Sequence, residues 1–243
     1  MSSGPRLEID VEGKKFDFLP TPLLDGFRLE IEPSSVVALV GPSGVGKSTL
    51  LRMIGGVDTL FSGRVLVDGV VAAEAPPAGF VFQDPRLLPW LTALDNIRAV
   101  RPETTESEAE AMLMRVGLKG FERYYPHELS GGMQRRVALA RAFSVNPRLL
   151  LLDEPFVSLD RTLVVEMEQV LLTLIETNRP TVLLVTHLPE DAATVADRAV
   201  VLSGRPAKIV ADYRFASAAG QRPRAEREHI ANQIAGAAAE RLP

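Results

Sequence analysis

VVALVGPSGVGKST, residues 36–49, joins a short apolar run to a glycine-rich loop. The run Val36–Val40 is typical of a strand buried on both faces, and the loop carries the pattern G-x-x-x-x-G-K-[ST]. Glycine lets backbone N–H groups turn toward an anion, Lys47 reaches the terminal phosphates, and the Ser48 hydroxyl holds Mg²⁺. A helix predicted over Lys47–Met53 directs its positive end at the same place. The stretch therefore predicts a phosphate cradle formed by Gly41, Pro42, Ser43, Gly44, Val45, Gly46, Lys47, Ser48 and Thr49.

Two adjacent carboxylates support this cradle. The apolar run Leu149–Leu152 ends in Asp153 and Glu154. Carboxylates at the end of a buried strand are costly unless they meet a cation or a reacting proton. Asp153 fits the Mg²⁺ partner of a P-loop enzyme, and Glu154 is predicted to act as general base on the attacking water. A chance match to the cradle pattern has a frequency on the order of 1% or less in a chain of this size.

A second anion site is indicated by residues 129–134, which read LSGGMQ. Ser130 is predicted to cap a helix, and Gly131 and Gly132 expose backbone donors at its start. A single nucleotide cannot easily use both sites. A head-to-tail dimer, in which this segment covers the phosphate held by the other copy, is therefore favoured over an ordinary glycine-containing helix start.

The remaining patterns define an α/β fold. Short apolar runs at Thr181–Val185 and Ala199–Leu202 add strands buried on both faces, with helices predicted at Met133–Phe143 and Leu163–Glu176. Alternation of apolar and polar residues over 7–11, 27–31 and 64–68 predicts antiparallel strands with one wet face. We expect a P-loop NTPase core, RecA-like, with a mainly parallel sheet flanked by helices, an antiparallel β subdomain and an inserted helical subdomain.

The domain organisation follows from the same patterns. Residues 1–212 are predicted to form one domain, with the helical subdomain over about 86–136 inserted in it. Thr105 and Glu108 form a capping-box pattern within that insertion. A basic, helical tail is predicted over 213–243, where Ile230 and Ile234 suggest one amphipathic helix without a strand signal.

Composition excludes several classes of protein. The chain has 243 residues, no cysteine, three histidines and a net charge of −4. A disulfide scaffold, a cysteine-ligated metal and a thiol nucleophile are therefore excluded, and a nucleic-acid-coating role is disfavoured. No apolar run approaches the ~18 residues of a membrane span, so we expect a cytoplasmic chain whose membrane role is peripheral.

These motifs, in this order, resemble the ATP-binding subunits of ABC transporters over roughly residues 5–210. The matching segments are GPSGVGKST, Gln83, LSGGMQ, LLLLDEP, SLD at 158–160 and His187. The resemblance implies ATP hydrolysis with Mg²⁺, with Lys47, Gln83, Glu154 and His187 as catalytic residues. It implies Mg²⁺ ligation by Ser48, Gln83 and Asp153, and contacts to the nucleotide from Ser130, Gly131, Gly132, Gln134 and Asp160. It also implies an aromatic residue stacked on adenine, for which Phe16 is preferred and Phe18 is the alternative.

Three further stretches are similar to the importer ATPases of the nitrate/sulfonate/taurine type. They are PHELSGGM at 126–133, QDPRLLPWLTALDNI at 83–97 and ADRAVVLSGRP at 196–206. The sequence departs from that pattern at a shortened 74–79 segment, at 156–158 and after His187. The similarity implies import of a small anionic or organic solute through a membrane permease, with an identical second ATPase subunit and an extracytoplasmic solute-binding protein. The alternatives are a soluble ABC-type ATPase in repair or assembly, and a P-loop kinase, which would leave LSGGMQ unexplained.

Trp90 and the basic tail each allow two interpretations. Trp90, the only tryptophan, either lies in a groove that receives a permease helix or packs inside the helical subdomain. The basic tail either contacts lipid headgroups or rests on its own domain.

Overall fold

The apolar runs predicted as buried strands lie side by side in one sheet. The computed structural model describes residues 3–157 and 159–239. Within these residues the strands are β1 Leu7–Lys14, β2 Leu24–Ile31, β3 Val36–Val40, β4 Ser62–Val67, β5 Val70–Val71, β6 Gly79–Val81, β7 Leu149–Asp153, β8 Thr181–Thr186, β9 Arg198–Ser203 and β10 Lys208–Arg214. The helices are α1 Lys47–Ile54, α2 Ala93–Arg98, α3 Glu106–Arg115, α4 Gly131–Ser144, α5 Arg161–Asn178, α6 Pro189–Val195 and α7 Arg224–Ala239.

The strands form two sheets. One has the order β10-β9-β3-β8-β7-β6 and is parallel except for its edge strand β10. The other, β2-β1-β4-β5, is antiparallel. The predicted α/β fold with an antiparallel β subdomain is therefore confirmed.

Strand β3 shows why the fold has three layers. All five of its residues are buried, and successive side chains enter two different cores. Val37 and Leu39 pack with α1 and the antiparallel sheet, whereas Ala38 and Val40 pack with the helices on the other face. Because successive side chains of a strand point to opposite faces, an unbroken apolar run was needed to cover both.

The segment between β6 and β7 is helical, as predicted. It contains α2, α3, a 3₁₀ turn at Pro126–Glu128 and α4, and no strand lies between residues 82 and 148, all of which the structure describes. Helix α3 begins with the predicted capping box, because Thr105 accepts from the Glu108 N–H and the Glu108 carboxylate accepts from the Thr105 N–H.

The start of the tail differs from the prediction. Strand β10 continues to Arg214, so the first two residues of the predicted tail belong to the sheet. Antiparallel pairing with β9 and the ion pair between Arg198 and Asp212 hold this stretch, and neither is visible in local composition. The division of the chain at residue 212 stays a prediction.

Helix α7 rests on its own domain. Ile230 and Ile234 are buried against the helical face of the core, as their spacing predicted. The Arg222 side chain, just before α7, donates to the carbonyl of Ala193 in α6 at 2.8 Å. Among the described residues, no helix is long and apolar enough to cross a membrane.

Candidate active site

The predicted site residues follow the carboxyl ends of four parallel strands. The glycine-rich loop follows β3, Asp153 and Glu154 lie at the end of β7, His187 follows β8, and Gln83 lies two residues beyond β6. Strand order places these ends at one edge of the sheet, which is where ligands bind in open α/β sheets.

The loop after β3 wraps around the lysine side chain. Gly46, immediately before α1, has φ 112°, a conformation that only glycine adopts readily. Lys47 is 4% exposed, and its Nζ donates to the carbonyls of Gly41 at 2.7 Å and Pro42 at 3.0 Å. Burial lowers the pKa of Lys47, while Glu154 and Asp153 act in the opposite direction. The lysine is therefore a buried cation held at the N-terminus of α1.

Ser48 and Asp153 form the second contact of the site. The Ser48 hydroxyl donates to Oδ1 of Asp153 at 2.9 Å, across 105 residues of sequence. Burial raises the pKa of Asp153, and the bond from Ser48 opposes that shift. A hydroxyl and one carboxylate suit Mg²⁺, which takes few protein ligands and completes its shell with phosphate and water. No group of three acidic, histidine or cysteine side chains that could hold a metal occurs in the described residues.

Glu154 is held in an unusual backbone conformation. Its φ is 49°, in the left-handed region, where a non-glycine residue carries strain. The Glu154 N–H donates to the Val185 carbonyl at 2.9 Å, which ties the end of β7 to β8. Its Oε2 lies 3.1 Å from Nδ1 of His187. The structure thus brings the predicted base and the predicted histidine into hydrogen-bond contact.

An open cleft of about 530 Å³ lies over the loop. The predicted residues that line it are Phe16, Ser43, Gly44, Gly46, Lys47, Ser48, Thr49, Gln83 and Glu154. Phe18, the alternative aromatic residue, lines it too and is 79% exposed. The rings of Phe16 and Phe18 stack at 5.3 Å, and Lys14 Nζ lies over the Phe16 ring.

The segment 129–134 lies outside this cleft. Ser130 caps α4 as predicted, because its hydroxyl accepts from the Met133 N–H at 3.3 Å. The Gln134 amide donates instead to the carbonyls of Pro126 and Leu129, within its own subdomain. Asp160 caps α5 through its carboxylate. None of the residues at 130–134 or 160 is among those lining the cleft, and Ser158 lies outside the described residues.

Sequence reasoning missed two parts of this region. Arg205 lines the cleft and donates to the Gly44 carbonyl at 2.7 Å, although it follows β9, far along the chain. Behind His187, the Thr186 hydroxyl donates to the buried carboxylate of Asp191 at 2.6 Å. The contact of Arg205 depends on the pairing of β9 with β3 and is not visible in local sequence. The contact of Thr186 is local, five residues along the chain, and sequence reasoning did not consider it.

This fold and this convergence of groups define a P-loop ATPase. A family model described as ABC transporter matches residues 24–157, and the chain belongs to that family.

Curated relatives and solved structures agree. The chain is 48% identical over 180 residues to the aliphatic sulfonates import ATP-binding protein SsuB 2 of Rhodococcus jostii, covering 74% of this chain and 72% of the relative. It is 40% identical over 191 residues to the aliphatic sulfonates import ATP-binding protein SsuB of Bacillus subtilis, covering 77% and 75%. A dimeric ATP-binding cassette solved in a post-hydrolysis state with ADP and Pi superposes with a TM-score of 0.75 at 29% identity, covering 88% of this chain and 99% of that one.

Proposed function

We propose that this chain is the ATP-hydrolysing subunit of an ABC importer, and that it drives a membrane permease for a sulfonate-type solute. The observation that carries the proposal is the contact between Glu154 and His187 beside a complete phosphate cradle. The names of the relatives supply the class of solute.

Binding of ATP begins at the cradle. Lys47 and the N–H groups at the start of α1 receive the phosphates, and the Phe16–Phe18 pair offers an aromatic face to adenine. Ser48 and Asp153 would hold Mg²⁺, assisted by Gln83, which lies in the same cleft. The ion supplies charge neutralisation on the phosphate oxygens.

Hydrolysis then depends on Glu154. Its carboxylate accepts the proton of the attacking water, and His187 holds that carboxylate in place. The strained backbone at Glu154 and its bond to β8 fix the side chain at the cradle before the nucleotide arrives. Lys47 stabilises the negative charge that spreads over the transferred phosphoryl group.

The second anion site completes the mechanism. Ser130, Gly131 and Gly132 are not among the residues that line the cleft over the glycine-rich loop, so we assign them to the ATP held by a second, identical copy. Asp160 lies at the same dimer interface. Gln134, which bonds to carbonyls of its own subdomain, supports the shape of the segment.

The membrane partner is expected at the helical subdomain. Trp90 is 69% exposed, so the interpretation in which it packs inside the subdomain is wrong. We infer that this indole and its neighbours receive a helix of the permease on the cytoplasmic face of the membrane, to which this chain binds peripherally. An extracytoplasmic solute-binding protein would deliver the solute.

The test of this proposal is Glu154→Gln. This variant is expected to bind ATP, to hydrolyse it at least about 100-fold more slowly because the base is lost, and to accumulate as an ATP-bound dimer. Phosphate release and light scattering measure the two effects. Glu190→Gln, an exposed carboxyl three residues beyond His187, is the matched control. A Glu154→Gln chain that stays monomeric under saturating ATP would contradict the dimer.

Affinity purification from native membranes in mild detergent tests the transport role. A co-purifying multi-span permease with a solute-binding protein is expected. A purely soluble, ribosomal or DNA-associated set of partners would keep the ATPase chemistry and remove the transport assignment.

A further inference from the structure

The turn between β9 and β10 lies against the glycine-rich loop. Strand β9 pairs in parallel with β3, with Val201 opposite Val40, so the segments that follow these two strands are neighbours. Contact is close: a Cβ built on Gly41 would come within 2.5 Å of the Leu202 carbonyl oxygen. The Ala207 N–H donates to the Leu23 carbonyl at 2.9 Å, which fixes the other end of the turn to the rim of the cleft.

Arg205 extends from this turn into the cleft. Its Nη2 donates to the Gly44 carbonyl at 2.7 Å, and the residue is otherwise exposed. Over residues 3–157 and 159–239 no carboxylate lies within 4 Å of its guanidinium, unlike the partnered arginines Arg148 and Arg198. An arginine has five N–H donors, and the bond to Gly44 uses one of them.

Besides Arg205, two cations line the cleft, Lys47 and Arg52. Lys47 is buried and donates to two loop carbonyls, while Asp153 and Glu154 add negative charge beside it. A nucleoside di- or triphosphate adds more. Because the Arg205 guanidinium is already bonded to Gly44, its side chain loses little further conformational freedom when it binds two phosphate oxygens. The planar arrangement of its N–H donors matches phosphate geometry.

We propose that Arg205 binds the phosphate chain of the nucleotide, in addition to the cations Lys47 and Arg52 that line the same cleft. This proposal rests on the ATP site described under the proposed function. Arg205 keeps one N–H on Gly44 and directs the others to phosphate oxygens. Its effect is on nucleotide affinity, and it depends on the number of phosphates.

The experiment measures ADP and AMP affinity by calorimetry for the native chain, Arg205→Ala, Arg205→Lys and Lys208→Ala. Arg205→Ala is expected to weaken ADP binding about 3- to 10-fold, as for a partly exposed charge-assisted contact. The loss should be smaller for AMP and should shrink at raised ionic strength. Arg205→Lys is expected to recover part of the affinity, since it keeps the charge without the fork. Lys208, an exposed cation three residues on, lies outside the cleft and should leave ADP affinity unchanged.

Native ADP affinity in Arg205→Ala would overturn the proposal. An equal loss for ADP and AMP, together with a lower thermal midpoint without nucleotide, would overturn it too, because the arginine would then only support the loop. Measurement of ATP turnover in Lys47→Ala, beside the calorimetry of Arg205→Ala, separates this proposal from the wider one. If Lys47→Ala retains full ATP turnover, the ATP site itself is misassigned; if it loses turnover while Arg205→Ala binds normally, only the role of Arg205 fails.

Discussion

Two helices of this chain, α1 and α4, begin beside glycines and have no acidic residue in their first turn, yet the surroundings of their N-termini differ. Helix α1 starts at Lys47 after Gly46, and α4 starts at Gly131 after Ser130; neither has an acidic residue in its first turn. The α1 start is surrounded by Lys47, Asp153 and Glu154. The α4 start has a serine cap, in which the Ser130 hydroxyl accepts from the Met133 N–H.

The difference shows that the phosphate-binding groups of α1 depend on the neighbouring strand ends and not on the helix N-terminus alone. A helix N-terminus attracts an anion only weakly by itself. The α1 start gains a buried lysine and a Ser48–Asp153 pair because three parallel strands end beside it. The α4 start lies in the helical subdomain, outside the cleft formed at those strand ends. In the dimer that we propose, a second copy supplies the phosphate that it contacts.

The largest expected effect is the loss of the lysine. Lys47→Ala should reduce ATP turnover about 1,000-fold or more, because it removes the charge that stabilises the transferred phosphoryl group. Phosphate release at saturating ATP measures it. Lys119→Ala, an exposed lysine of the helical subdomain, is the control. Near-native turnover in Lys47→Ala would contradict the claim that the buried lysine distinguishes the α1 start from the α4 start.

The next effect concerns the α4 start. A Cβ at Gly131 meets no atom of the described residues within 4 Å, so Gly131→Asp should fold normally, and its charge suits the first turn of a helix. It should nevertheless repel the partner's phosphate, lowering ATP-driven dimerisation and reducing turnover about 100-fold. Turnover and light scattering under ATP measure this.

Ser107→Asp makes the same charge change in the first turn of α3 and serves as control. Native dimerisation and turnover in Gly131→Asp would show that this segment does not face a phosphate.

A third effect lies at the contact between α5 and α6. Glu168 on α5 is 7% exposed, and burial, with Asp191 of α6 as a lesser cause, raises its pKa to about 7, against opposing effects of Arg227 and Arg161. Because the folded pKa exceeds the unfolded value of 4.5, the free energy of unfolding should fall as pH rises from 4.5 to 7. Glu168→Gln removes this dependence and should stabilise the nucleotide-free chain at pH 8 by up to about 3 kcal/mol.

Urea denaturation at pH 5 and pH 8 checks the prediction. The two chains should differ little at pH 5. If the variant keeps the native decrease in stability at pH 8, the dependence belongs to another group, with Asp191, whose pKa burial raises to about 6, as the first candidate.

The smallest effects should have opposite signs in the two regions. Asp153→Asn removes a partly buried carboxylate whose pKa burial raises, and should increase the free energy of unfolding without nucleotide at pH 8 by less than about 1 kcal/mol, because solvent screens part of the effect. Ser130→Ala removes a helix cap and should decrease it by about 1 kcal/mol. Chemical denaturation measures both changes. If both variants changed the free energy of unfolding in the same direction, the contrast between unfavourable charge at the α1 site and a stabilising cap at the α4 start would be wrong.

Local segments made much of the fold predictable. The strands β3, β7, β8 and β9 coincide with the predicted apolar runs to within one residue at each end, because burial on both faces leaves an unbroken signal. The capping box at Thr105 was equally local. Strand β10 was not, since its residues are half exposed and gain their conformation from pairing with β9.

The sequence by itself determined the phosphate cradle, the paired carboxylates and the helix cap at Ser130, because each is a contiguous stretch whose backbone and side chains act together. Only the tertiary structure decided the exposure of Trp90, the contact between Glu154 and His187, and the approach of Arg205 to Gly44. These contacts depend on strand order, which brings together the ends of β3, β7, β8 and β9 from distant parts of the chain. Spacing along the chain carries no record of that order, since hydrophobic runs specify that a strand is buried and not which strand lies beside it.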